Sequence, residues 1–155
     1  MKDGSMTFDG KLKIDSIEKG IEIDHITAGV GLSVIDHLEV DKNGENTVAC
    51  IMNASSKKRG KKDVVKIENL VDVNLDVLGL IAPEATVSII EGGKTTRKLK
   101  LKLPKKVVNV LTCKNPRCVT SVEPNARQVF HLTDEQIRQY RCDYCDDLFV
   151  VKGDY

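Results

Sequence analysis

The chain has no tryptophan, and only 4% of its 155 residues are aromatic. Any core must therefore be assembled from Val, Ile and Leu, within an apolar fraction of 41%. Long apolar runs are missing too: none approaches the roughly 18 residues that a membrane-spanning helix needs. The N-terminus, Met1-Lys2-Asp3-Gly4-Ser5-Met6, is polar and lacks the apolar stretch of a secretory signal. Met6 offers an alternative start, with residues 1–5 an appended segment. The expectation is a cytoplasmic protein with no membrane partner and with reduced thiols, a setting where cysteine clusters are metal sites more often than disulfides. An excess of charge is also lacking. The 24 basic and 23 acidic residues leave a net +1, which argues against nucleic acid as a partner. No Gly-x-Ser-x-Gly, no Walker loop and no Gly-x-Gly-x-x-Gly occurs, and Gly29-Val30-Gly31 is too short to count. With no nucleophile in a motif, the expectation is a chain that is not an enzyme.

What is present reads as an α+β fold followed by a metal domain. Residues 11–18 alternate as a strand, and after Gly20 residues 21–26 are extended again. Thr27 is a fair N-cap for a helix over about 28–38. Residues 41–44 read as a turn, 47–52 as a strand, 53–62 as a polar basic loop and 63–70 as a strand. A second helix over 72–81 ends at Ala82-Pro83. Residues 85–90 pair through the turn Glu91-Gly92-Gly93-Lys94 with 95–103. That order is the βαββαβ pattern of a ferredoxin-like sandwich. The expected division is an N-terminal domain over 11–104 and a small antiparallel β zinc domain over 105–155, with Pro104-Lys105-Lys106 as the link. About 50 residues are too few to stand on apolar burial alone.

Cysteine supplies the missing support. Cys113 and Cys118 are separated by four residues, Cys142 and Cys145 by two, with 23 between the pairs. Each short pair sits in a turn that aims two sulfurs at one point, and two such knuckles make the tetrahedral S4 shell that zinc accepts. Rubredoxin-like iron is the rival. A plant-type iron–sulfur cluster would need a different spacing. Four thiolates leave no open position for a substrate, so a structural ion is expected, one per chain. Residues 105–155 carry 8 basic and 7 acidic groups, and Zn²⁺ with four thiolates brings that domain to about −1. A protein partner fits this charge better than nucleic acid does. The fifth cysteine, Cys50, reads as a small buried residue.

Two basic stretches break the even charge. Residues 57–66 hold six cationic side chains against Asp63 alone, and residues 94–106 hold seven and no acid. A solvated strand face is the plain reading of Lys98 to Leu103. Lys62 and Lys66, however, together with the hairpin lysines, could converge on a triphosphate. Asp24-His25 at the end of the first extended run is by itself an ordinary helix-entry feature. His37 and His131 read as ordinary histidines.

Taken together, Ile23-Asp24-His25-Ile26, the run Gly60 to Asn69, Ala82-Pro83-Glu84-Ala85-Thr86-Val87, and Asn109-Val110-Leu111-Thr112-Cys113 through Cys142-x-Tyr-Cys145 resemble the regulatory chain of aspartate carbamoyltransferase. The resemblance covers about Lys11 to Val151. It implies a non-catalytic subunit whose N-terminal domain binds CTP, UTP or ATP and pairs with a second copy as a dimer. The zinc domain would grip the catalytic chain, bridging catalytic trimers in pyrimidine synthesis. By motif position it implies nucleotide contacts at Asp15, Ser16, Ile17, Asp24, His25, Lys62, Lys66, Ser88, Ile90 and Lys98. It implies contacts to the catalytic chain at Asn115, Arg117 and Asp146. The chain departs from the family at Gly93 and Thr95, where an aromatic and a valine are usual, and at Ser88, where Asn is usual. Lys94 would take the place of Lys98 if the hairpin register slipped.

Overall fold

The computed structural model describes residues 12, 14–38, 40, 44–70 and 72–151. Its N-terminal part is a five-stranded antiparallel sheet with two helices on one face. In chain order the elements are β1 (Gly20–Thr27), α1 (Gly31–His37), β2 (Val48–Ser56), β3 (Gly60–Glu68), α2 (Leu75–Ile81), β4 (Thr86–Glu91) and β5 (Lys94–Lys100). The strand order β2-β3-β1-β4-β5 is the expected ferredoxin-like sheet extended by one hairpin strand. Alternation along the strands places Ile21, Ile23, Val65, Ile67 and Val87 on the helix side, all fully buried, against Val34 of α1 and Leu78 and Ile81 of α2.

Several boundaries differ from the sequence reading. Residues 14–18, read as part of a strand over 11–18, form no strand, and Lys11 and Lys13 lie outside the described residues. The segment is instead tied to the sheet by single bonds, Gly93 N–H donating to the Glu18 carbonyl and Asn69 N–H to that of Lys19. The loop read over 53–62 is a hairpin, β2 running to Ser56 and β3 starting at Gly60 (φ 78°). β2 is an edge strand with a register shift between Ile51 and Ala54, so its apolar alternation is broken and the strand was not legible there. Helix α2 begins later than read, because Asn74 caps it by accepting from the Asp76 and Val77 amides. β5 ends at Lys100, short of residue 103. Of the turn read over 41–44, residues 41–43 lie outside the described residues.

Thr27 is the last residue of β1 and not the N-cap of α1, which begins after Val30 without a side-chain cap from its own segment. Asp63 of β3 takes that role across the sheet. Its carboxylate is fully buried and accepts the amides of Gly29 and Gly31 at 2.9 Å each, and that of Asn53 at 2.9 Å. A methyl group on Gly31 would lie 3.0 Å from Asp63 Oδ2 and from Cys50 Sγ, so any larger residue would have to push these atoms aside. Cys50 is half-buried against this core.

The C-terminal part is a second antiparallel sheet, ordered β6 (Lys106–Val108), β7 (Val129–Asp134), β8 (Gln139–Cys142), β9 (Leu148–Val150), with a short helix α3 (Val119–Val122). Val107, Leu111, Phe130 and Tyr140 form its core, and Leu80 of α2 is buried in that same cluster. The lobes are thus joined through α2. A methyl group on Gly79 would lie 2.3 Å from the Lys102 carbonyl oxygen, and the Tyr140 hydroxyl donates to the Pro104 carbonyl at 2.7 Å.

Because Asp63 alone satisfies three amides from two other segments, Asp63→Ala should lower the unfolding free energy of the N-terminal lobe by about 2–4 kcal/mol. Urea unfolding of the variant checks this, and an unchanged midpoint would show the carboxylate to be dispensable.

Candidate functional site

The four cysteines come from two turns and the ends of two elements. The Asn115 side chain accepts the Arg117 amide at 3.0 Å, and its carbonyl accepts the Cys118 amide at 3.0 Å, so Asn115 closes the first knuckle. In the second, Asp146 adopts φ 64° and its amide donates to the Cys142 carbonyl at 3.0 Å. The four sulfurs all lie within 4.8 Å of one another, with Cys113 to Cys145 at 3.6 Å and Cys118 to Cys142 at 3.8 Å. A tetrahedral zinc with bonds of about 2.3 Å separates its sulfurs by about 3.8 Å. The cluster is thus of a size to hold one zinc ion, and its closed shell is structural.

Neighbouring groups hold the ligands. The Cys113 amide donates to Gln128 Oε1 at 3.1 Å, and Gln128 Nε2 donates to the Thr120 carbonyl at 3.2 Å. The Thr120 hydroxyl lies 3.0 Å from Cys118 Sγ and, with the Thr120 amide, brings that thiol down to about 7 against the opposing effect of burial. Burial instead pushes Cys113 up to about 12. Metal must displace those protons. His131, outside both knuckles in sequence, is bonded to Asp143 inside the second.

The second candidate site is the sheet face without helices. Register places Ala49, Lys66, Glu22, Ser88 and Lys98 in one row across all five strands, and Asp24, Thr86 and Lys100 in the next. The hairpin register thus sets Lys98, and not Lys94, beside Ser88; Lys94 faces Glu91 at the turn. Ile90 lies two residues beyond Ser88 on that face, and is buried. The segment holding Asp15, Ser16 and Ile17 lies over this end: Lys66 Nζ donates to the Ile14 carbonyl at 3.4 Å, and a methyl group on Gly20 would be 3.1 Å from the Ile17 side chain.

Asp24 and His25 sit in a bulge of β1, where the pairing with β3 shifts between Ile23 and Ile26 and His25 has φ 58°. Lys62 Nζ is 2.8 Å from Asp24 Oδ1, which also accepts the His25 amide at 2.6 Å. Burial raises the Asp24 carboxyl, but the Lys62 bond, the His25 amide and the two nearby charges outweigh it and leave it below its ordinary value. Lys66 is 3.9 Å from Glu22. The structure therefore commits two of the three sequence-marked lysines to acids, and Lys98 has no ion pair among the described residues.

Sequence reasoning missed Glu22, Asp63 and Thr120. Asp63 left a signal, as the one acid among six cations. Glu22 left one as well, sharing the alternation phase of Asp24. Thr120 left none, because its contact with Cys118 is set by the knuckle.

The metal centre yields a direct expectation. The chain should carry one zinc, and chelation should unfold residues 107–151 while the N-terminal sheet persists. Metal analysis and circular dichroism would show this, and a Cys142→Ser chain with full metal content would refute it. Zinc should be lost as pH falls and thiolates reprotonate. Thr120→Val should move half-loading to higher pH, because it removes the bond that favours the Cys118 thiolate.

Comparison with known proteins agrees with both parts. The family described as aspartate carbamoyltransferase regulatory chain, allosteric domain, matches residues 12–102, and the corresponding metal binding domain matches 105–152. An aspartate carbamoyltransferase regulatory chain of Clostridium tetani is 50% identical over 141 residues, 90% of this chain and 97% of the relative. That of Bifidobacterium longum is 47% identical over 136 residues, 88% and 97% of the two chains. The sulfur geometry, the sheet and these matches together place this chain in the family of aspartate carbamoyltransferase regulatory chains, which are regulatory and not catalytic subunits.

Proposed function

We propose that the N-terminal lobe, residues 11–104, binds nucleoside triphosphates (CTP, UTP or ATP) on its helix-free sheet face. The C-terminal lobe, residues 105–155, would hold the catalytic chain, so that nucleotides tune carbamoyl aspartate formation in pyrimidine synthesis. The observation that carries this reading is the face itself: acids, lysines and a hydroxyl in two adjacent rows, at a bulge that breaks regular pairing, in the region matched by an allosteric domain. Ile17 and Ile90 provide an apolar end for a base, with the backbone of Asp15 and Ser16 beside it. Asp24, neutralised by Lys62, can accept a ribose hydroxyl without repelling the phosphates. Ser88 and Lys66 lie between these ends, and His25 and Lys98 take phosphate oxygens.

Support for the partner reading comes from surface chemistry. Val119, Val122, Ile137, Tyr144, Leu148 and Val150 are exposed apolar side chains on the C-terminal lobe, surface that a protein partner would cover if they lie together. Arg117 and Asp146 stand exposed on the two knuckles, with Asn115 half-buried beneath the first. No described helix is long and apolar enough to cross a membrane; the assembly proposed is a cytoplasmic one. Copies would pair through the N-terminal lobes.

Calorimetric titration of CTP and ATP into the full chain should show binding that weakens at higher salt and by roughly tenfold or more in Lys98→Ala. No binding to correctly assembled dimers would remove the nucleotide reading. Co-purification tests the partner: metal-loaded chain should assemble with the catalytic chain and chelated chain should not. Asp146→Lys should weaken assembly while zinc content holds.

A further inference from the structure

An open cleft of about 620 Å³ runs between the lobes, a size within the roughly 300–1,000 Å³ of small-molecule sites. Its floor is apolar, formed by Pro83, Leu101 and Leu103. One wall carries Lys100, the last residue of β5, and Lys102 in the link; the other carries Glu135 and Arg138 of the turn between β7 and β8. Glu84 also borders the cleft, but its carboxylate is committed to Arg59 at 2.7 Å. The ion pairs among the described residues leave Lys100, Lys102, Arg138 and Glu135 uncommitted. Three cations thus face the cleft against one acid, an excess of two positive charges.

The backbone fixes both walls. The Leu101 amide donates to the Ala85 carbonyl at 2.8 Å, and its carbonyl accepts the Glu84 amide at 3.0 Å. The Lys102 carbonyl is packed so closely on α2 that a methyl group on Gly79 would lie 2.3 Å from its oxygen. Opposite, Arg138 has φ 53°, the left-handed conformation that favours glycine or asparagine. Its amide donates to the Glu135 carbonyl at 3.3 Å, and its carbonyl accepts the Val151 amide at 3.0 Å. A guanidinium therefore stands half-buried and without an acid on a backbone that disfavours it, and strain of this kind collects at ligand clamps. At Arg138 the cleft adjoins a second space of about 270 Å³ with apolar walls of Val30, Ile81, Ile137 and Val151.

We propose that the cleft binds a small organic dianion, a dicarboxylate or a phosphate monoester, whose negative oxygens bridge Lys102 on one wall and Arg138 on the other. Two negative charges match the excess of two positive ones. The guanidinium fork takes a carboxylate or phosphate through two parallel bonds, and the lysines act as point charges. Pro83, Leu101 and Leu103 cover the carbon skeleton. The site is separate from the sheet face, because Arg138 belongs to the C-terminal lobe and Lys102 lies beyond the last residue of β5. A ligand that touches both walls favours the lobe arrangement that holds them at this spacing.

The test is calorimetric titration of succinate, glycerol phosphate and acetate into the zinc-loaded full chain at low salt. At least one of the two dianions should bind once per chain, about tenfold or more tightly than acetate. Which of them binds distinguishes a dicarboxylate ligand from a phosphate ester. Arg138→Asn places a residue suited to the left-handed backbone, and should weaken binding about tenfold or more while the unfolding midpoint holds. Lys102→Gln should act in the same direction. Excess CTP should leave the bound dianion in place. No saturable binding of either dianion to wild type would overturn the proposal. So would equal affinity for acetate, displacement by CTP, or undiminished binding in both variants.

Discussion

One buried carboxylate organises the N-terminal lobe. Asp63 binds the amides of Gly29 and Gly31 with one oxygen and that of Asn53 with the other. The interruptions in pairing on both sides of β3, at Asp24-His25 and at Met52-Asn53, thus lie beside the same side chain. The bulge in β2 takes the Asn53 amide out of the ladder and Asp63 accepts it, whereas in β1 the His25 amide turns to the Asp24 carboxylate. The neighbour of Asp63 in sequence is Lys62, on the alternate face, where it meets Asp24. The interaction that caps α1 on one face of the sheet therefore fixes the charged pair on the other.

The C-terminal lobe depends on a different constraint. Its apolar core is small, and three of its buried residues are the metal ligands Cys113, Cys118 and Cys142. The metal is thus part of the core and not an addition to it. Leu80 extends this cluster from α2, and the close approach of Gly79 to Lys102 leaves little freedom for α2 to move without dragging the link at 101–104. β5 leads straight into that link, so Lys98 and Lys100 stand a few residues from the connection between lobes. A ligand on the sheet face can couple to a partner of the zinc lobe only by binding two arrangements of the lobes unequally.

Much of this was legible in the sequence. The βαββαβ order follows from apolar periodicity in β1, β3 and β4, whose inward residues are fully buried. The metal centre follows from spacing alone, because two short Cys intervals in one small domain rarely arise except where two turns grip a single ion. What stayed hidden has physical reasons. β2 is an edge strand with a bulge, so Asn53 to Ser56 looked like loop. Residues 14–18 alternate like a strand but lie across the sheet, and nothing local distinguishes the two. Thr27 has the right chemistry for an N-cap, but a carboxylate far along the chain, on β3, satisfies the helix amides instead. The pairing of Lys62 with Asp24 and of Lys66 with Glu22 turned presumed free cations into a neutral lattice, a matter of register that composition cannot report.

The central claim is that this chain makes a catalytic partner responsive to nucleotides. The most direct measurement is aspartate carbamoyltransferase activity at subsaturating aspartate, with and without CTP and ATP, for the catalytic chain alone and after assembly with the zinc-loaded chain. The account predicts that nucleotides alter the rate only in the assembly. Identical rates with and without nucleotide in a verified assembly would contradict it.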